Sequence, residues 1–227
     1  MRCVGAVSRH GFLWAALLGF AAVANAQTTM NFDSDPVGAL PAGWKSAMTH
    51  AGGAPKWQVA KDDSAPSKPN VLAQLSSDDT SARFPMAIYE GASFTNGELS
   101  VKFKPVSGEE DQAGGLVWRY RDENNYYLTR ANAREDNVVL YKVQNGRRSS
   151  LAPIGTPPRT YGVKQKVASG VWHTLRVTFQ GPNFSVYLDG KKLFDVEDAT
   201  FSGAGKVGLW TKADSVSYFD DFQITQK

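Results

Sequence analysis

"GLVWRYRDENNYYLTRANAREDNVVLYKV", residues 115–143, decides the fold. Apolar and polar side chains alternate through it with a period of two, as in strands with two unlike faces. Aromatic and β-branched residues fill the alternating runs, and RDEN (121–124) and the turn-like NAREDN (132–137) break them. With RDEN as a four-residue connection, antiparallel pairing sets Arg119 opposite Tyr126, Trp118 opposite Tyr127, Val117 opposite Leu128 and Gly115 opposite Arg130. Leu116, Trp118, Tyr120, Tyr127, Thr129 and Ala131 then share a mostly apolar side. Arg119, Tyr126, Arg130 and Asn132 gather on the other side with Val117 and Leu128. A connection one residue longer would flip one strand and bury Arg130 beside Trp118 without a partner, at considerable cost.

The rhythm continues outward from this stretch. "ELSVKFKPV", "WHTLRVTFQ", "NFSVYLDG", "KKLFDV", "KVGLWTK" and "SYFDDFQIT" are further strand-length runs, and Asn145-Gly146 and Asp189-Gly190 are hairpin turns that need positive φ. Residues 27–94 are less regular, with strand candidates at 57–60, 70–75 and 84–89 between turn clusters. No segment after residue 26 keeps a helical period. Many short strands joined by turns predict an all-β fold, a two-sheet antiparallel sandwich or a closed barrel. The alternation in the later strands points Val139, Tyr141, Val143, Val207 and Leu209 inward and Lys142, Trp210 and Lys212 outward.

Residues 1–26 carry Arg2 and Arg9, an apolar run from Gly11 to Val23, and Ala24-Asn25-Ala26, the pattern of a secretory signal peptide. The run is shorter than the roughly 20 residues that span a bilayer, and no later segment is apolar enough to do so. Export to the periplasm or beyond the cell is the expectation, with residues 27–227 as a single domain large enough for one core. Cleavage removes two of the 25 basic residues and none of the 22 acids, taking the formal net charge from +3 to +1. That balance gives nucleic-acid binding no support. It also removes Cys3, the one cysteine, so no disulfide can hold the exported chain.

"FDSDPVGALPAGW" (32–44), the 115–143 stretch, and "GVWHTLRVTFQGPNFSVYLDGKKLFDVEDATFSGAGKVGLWTKADSVSYFDDFQI" (170–224) together resemble the concanavalin A-like lectin/glucanase superfamily. Within it they are most similar to bacterial secreted proteins near the 3-keto-disaccharide hydrolase-like domains. The resemblance implies a jelly roll of two curved antiparallel sheets, with a carbohydrate groove on the concave face of sugar-active members. The paired glutamates and aspartate of laminarinase-type relatives are missing. "GEEDQAG" around Glu109, Glu110 and Asp111 is turn-like and lacks their spacing, and retaining hydrolysis needs two carboxyl groups about 5 Å apart. Chemistry on a keto-activated sugar would instead need a base with a metal or electrophilic cations.

Arg119, Tyr126, Arg130, Asn132, Lys142, Trp210 and Lys212 are the candidate ligand-binding set, an indole to stack on a sugar ring among cations that donate to its oxygens. The plainer alternative is a solvated sheet face with aliphatic stems over apolar surface. His173 has the parity of Leu175, Val177 and Phe179, an edge-of-core pattern, whereas His50 lies in an irregular stretch from which it could reach a pocket. Asp33, Asp35, Asp220 and Asp221 offer calcium-type oxygens, though turn capping and strand polarity account for them equally. The resemblance implies a structural calcium tying the N-terminal segment to the last strand, with Asp33, Asp220 and Asp221 as ligands. A carbohydrate-recognising sandwich is the leading expectation; a glycoside-cleaving enzyme of the keto-sugar type and a structural or adhesive domain are the rivals.

Overall fold

In the computed structural model, residues 27–227 are described together with Met1 and Cys3, and every regular element is a strand. The signal-peptide reading otherwise falls outside the described residues. The strands in chain order are β1 (Gln27–Met30), β2 (Trp44–Thr49), β3 (Trp57–Lys61), β4 (Asn70–Gln74), β5 (Phe84–Phe94), β6 (Gly97–Ser107), β7 (Ala113–Asp122) and β8 (Asn125–Asn132). They continue with β9 (Asn137–Gln144), β10 (Arg147–Ser150), β11 (Val163–Lys164), β12 (His173–Gln180), β13 (Asn183–Leu188), β14 (Lys191–Glu197), β15 (Gly205–Trp210) and β16 (Val216–Gln226).

Two antiparallel sheets result. The first runs β14-β13-β12-β6-β16-β4-β3 with β1 also on β16, and the second runs β10-β9-β8-β7-β15-β5-β2 with β11 on β9. Alternate residues of both sheets meet in the space between them: Leu99, Val101, Phe103, Val177, Phe179 and Phe184 from the first, Leu116, Trp118, Tyr127, Leu140 and Leu209 from the second. Trp118 stacks on Tyr127 at 5.6 Å and on Phe179 at 6.0 Å. Full burial of such rings and aliphatic chains, worth about 1.5–3 kcal/mol each, drives the two layers together. The turns at Asn145-Gly146 and Asp189-Gly190 have both residues at positive φ, as their hairpins demand. The first of them joins β9 to β10 and sets Arg148 opposite Val143.

The β7–β8 pairing has the expected register at Gly115–Arg130, Val117–Leu128 and Trp118–Tyr127. Beyond Trp118 it departs. Asp122 pairs with Asn125, narrowing the turn to Glu123-Asn124, and the surplus residues of β7 form an irregularity that begins at Arg119, whose φ is 48°. Asp122 stabilises this turn by accepting hydrogen bonds from the Asn124 amide and the Asn125 side chain. Arg119 is thereby turned away from Arg130. Its guanidinium donates to the carbonyls of Thr95, Gly181 and Phe201 and lies 5.5 Å from the Phe184 ring centre, at the end of the inter-sheet core. Its expected place on the outer face is therefore corrected.

Lys142 is a second correction. It pairs across from the inward Tyr127 and has the parity of Leu140, and its ammonium reaches Asp198 at 2.8 Å and Thr200 at 2.7 Å. Val139, Tyr141 and Val143, expected inward, lie on the opposite face with Tyr126 and Leu128. The reason is that both faces of this sheet are apolar and buried, so alternation fixes which residues share a face without saying which face is the inner one.

Candidate functional site

The outer face of the second sheet carries a second apolar layer: Phe84, Met86, Ile88, Val117, Tyr126, Leu128, Val139, Tyr141, Val143 and Trp210. Arg130, Gly115 and Trp210 lie in one row across β8, β7 and β15. Glycine between them leaves room for both large side chains. A Cβ at position 115 would stand 3.1 Å from the Arg130 Cβ and 2.8 Å from the Thr129 carbonyl oxygen.

This face is roofed. The end of β2 and the segment after it cross one side, where Thr49 hydrogen-bonds the Tyr126 hydroxyl at 2.7 Å and the His50 ring meets the edge of Phe84 at 5.4 Å. Fully buried Arg83 anchors that segment by donating to the carbonyls of Gly53, Ala54 and Ala213 and to Ser76. The segment between β10 and β11 crosses the other side. Gly162, at φ 57°, passes so close that a Cβ there would lie 2.7 Å from Val139 Cγ2, and the Tyr161 hydroxyl meets that of Tyr141.

Two arginines occupy the roofed face. Arg130, 1% exposed, donates to Glu135 at 2.7 Å, to the hydroxyls of Tyr141 and Tyr161 at 3.1 and 3.0 Å, and to Asn137, while its Nε has no partner. Burial pushes the Glu135 carboxyl up, but the Arg130 charge and the Asn137 amide outweigh it and hold the carboxyl below the ordinary range. Arg148 is built differently. Its guanidinium lies 4.5 Å from the ring centre of Phe84, 4.7 Å from that of Tyr141 and 5.8 Å from that of Trp210. Among the described residues it has no ion pair within 4.0 Å, and its buried NH1 has no hydrogen-bond partner. Three aromatic faces hold it by cation–π attraction alone.

Of the expected set, Tyr126, Arg130, Asn132, Trp210 and Lys212 do share this face. Lys212 pairs with Asp111, which also accepts from Asn132 at 2.6 Å. Trp210 is 0% exposed, so the expected open stacking platform is corrected: Phe84 and Arg148 cover the indole. Arg148 was missed, although the type I′ turn at Asn145-Gly146 already fixed it opposite Val143. His173 is an edge-of-core residue, 8% exposed, held by Asp189 at 2.8 Å and by Ala168. Glu109, Glu110 and Asp111 form a turn whose three amides donate to the Asp214 carboxylate.

The expected calcium ligands divide. Asp33 and Asp220 converge on Ser67 from opposite ends of the described chain, Asp33 accepting from its hydroxyl and Asp220 from its amide. Asp221, at φ 47°, turns away to Lys102 at 2.8 Å, a correction to the ligand set. Asn70 donates its amide N–H to Asp33, and its side-chain oxygen is buried with no partner. Two carboxylates and an orphaned amide oxygen are hard donors of the kind calcium takes. Among the described residues no group of three or more His, Cys, Asp or Glu side chains is set to hold a metal.

Fold and face together define a concanavalin A-like jelly-roll sandwich with an arginine-bearing aromatic layer on one sheet. The chain belongs to the 3-keto-alpha-glucoside-1,2-lyase-like domain family, whose profile matches residues 31–225. It is 32% identical over 127 residues to the levanase of Bacillus subtilis (strain 168), a match covering 56% of this chain and 17% of that protein. Among solved structures it is similar to the carbohydrate binding module CBM66 from Bacillus subtilis, with a TM-score of 0.60 and 23% identity over 80% of this chain and 94% of that one. It is also similar to domain 4 of AbnA, a GH43 extracellular arabinanase from Geobacillus stearothermophilus in complex with arabinotriose. There the TM-score is 0.55 and the identity 13%, over 89% and 93% of the two chains. At these identities the structural likenesses speak for the fold. The chain spans under a fifth of the levanase.

Proposed function

We propose that this protein is an exported carbohydrate-binding sandwich that holds its glycan at Arg148, on the roofed outer face of the second sheet. The observation that carries the reading is the Arg148 guanidinium itself, pinned over Phe84 and Tyr141 with its hydrogen-bonding capacity unspent inside the protein. Sugar sites combine an apolar body with a few convergent polar groups. Glu135, Tyr161, Lys212 and His50 rim the same region. Family membership and the leader pattern of residues 1–26 support the reading. A glycan array followed by calorimetry tests it: binding that disappears in Arg148→Ala, with the near-ultraviolet circular dichroism retained, is expected. Absence of binding to every glycan would favour a structural or adhesive role.

The family's name motivates a second reading, elimination from a 3-keto-glycoside. Such a reaction needs a base for the proton beside the ketone. Glu135, the carboxylate paired with Arg130 on this face, is held below the ordinary range and is a weak base. Binding ranks first on the Arg148 geometry, and turnover of a 3-keto-glucoside by the purified protein would reverse the order.

We also propose a structural calcium held by Asp33 and Asp220 with the Asn70 side-chain oxygen. It would supply cross-linking of the first described segment to β16 rather than chemistry.

A further inference from the structure

We infer that the glycan is acidic: the ligand brings a carboxylate or sulfate oxygen pair to the free edge of the Arg148 guanidinium. This rests on the carbohydrate reading above and narrows it. The argument is one of charge matching. On the outer face of the second sheet, the cation of Arg130 is answered by Glu135 at 2.7 Å and that of Lys212 by Asp111. Arg148 stands among them unanswered.

A guanidinium without an acid usually sits in bulk water, where hydration answers the charge. This one does not. It is partly buried between rings, one nitrogen is sealed from solvent without an acceptor, and the Asn145-Gly146 turn fixes the strand that carries it. Hydration therefore answers this charge only in part, on the side of the guanidinium that the rings leave open. Arg130 adds a second cation on the same ring: both guanidiniums lie within 6 Å of the Tyr141 ring centre. Neutral sugar hydroxyls would accept hydrogen bonds here but leave the surplus positive charge standing. A planar carboxylate or a sulfate ester accepts two parallel N–H bonds from the guanidinium fork and cancels that charge.

Matched oligosaccharides that differ only in charge test the inference. The first pair is β-1,4-linked tetramannuronate and mannotetraose, the second β-1,4-linked tetraglucuronate and cellotetraose, with sulfated cellotetraose as the ester arm. Calorimetry on the full chain is expected to show the acidic member of a pair binding at least about tenfold more tightly than its neutral counterpart. That preference should weaken as salt is raised and vanish in Arg148→Gln, with Arg148→Lys retaining part of it as a point charge without the fork. The uronate and sulfate arms identify which anion is preferred. Equal binding of charged and neutral members, weakened alike in Arg148→Gln, would overturn the inference and leave the carbohydrate reading intact. Failure of every oligosaccharide here and on the array would remove both. The salt dependence of the unmutated protein reads the same effect without relying on a variant's folding.

Discussion

Arg119 and Arg130 belong to adjacent strands of one hairpin, yet their guanidiniums lie on opposite sides of the sheet, Arg119 toward Phe184 of the inter-sheet core and Arg130 toward Tyr141 outside. The separation comes from the irregularity at Arg119, which Gly205 on β15 makes possible: a Cβ at 205 would stand 2.4 Å from the Arg119 carbonyl carbon. Their roles separate accordingly. Arg119→Met leaves the Thr95, Gly181 and Phe201 carbonyls without a donor and should destabilise the fold by about 2–4 kcal/mol. Urea denaturation measures this. Glycan affinity of the folded fraction should stay unchanged, and a selective loss of binding would return Arg119 to the site.

Arg83 is expected to control the roof. Four hydrogen bonds tie it to residues 53, 54, 76 and 213, so Arg83→Met frees the segment after β2 before it disturbs the first sheet. Hydrogen exchange should quicken at residues 50–56 with β12 and β13 still protected. Uniform quickening across both sheets would mean that the roof and the sandwich open as one unit.

The Asp214 carboxylate gives a pH signature. Burial pushes it up, but the amides of Asp111, Glu110 and Glu109 more than offset this and hold it below the ordinary range. A carboxylate lowered in the native state contributes stability above its unfolded value, about 3.9, and loses it as pH falls through the native value. Asp214→Asn should therefore cost about 1–3 kcal/mol at pH 7, a gap that narrows below pH 4. Denaturant titrations at pH 7 and pH 3 compare the two proteins, and a gap independent of pH would rule out the charge as its source.

For the proposed calcium, chelation of the protein as purified should lower the melting temperature, and added calcium should restore it, because an ion bound only to the native state stabilises it by mass action. Asp33→Ala should abolish the response. A melting temperature indifferent to chelator and calcium would leave the Asp33–Ser67–Asp220 contacts as hydrogen bonds alone.

The all-β character was readable because turn chemistry and alternation agreed from Glu98 onward, while the choice of two sheets over a barrel came from the family resemblance. The β7–β8 register agreed from Gly115 to Trp118 although the connection is two residues rather than four, because the irregularity in β7 takes up the difference. Sidedness was harder. Where Val138 and Leu140 face one core while Val139, Tyr141 and Val143 face another, hydrophobicity alternates between equals, so Lys142 was given the wrong side. The placement of Arg119 depended on an irregularity whose enabling glycine is distant in sequence. Trp210 was assigned the correct face but not its cover, because segments without strand pattern supply part of the roof. Arg148 needed only the register that its own turn dictates. The short β1, β10 and β11 went unmarked because their polar composition resembles connections, and β2 because it follows a turn cluster.

The apolar layer beneath the roof has an evolutionary consequence. Since the segments after β2 and β10 both frame the proposed glycan position and keep ten large or branched side chains dry, a change there that alters binding also alters how firmly the second sheet is sealed. New specificity in such a scaffold would have to arrive with compensating substitutions in the connecting segments. Relatives with trimmed connections should carry polar residues where this chain has Met86, Leu128 and Val139.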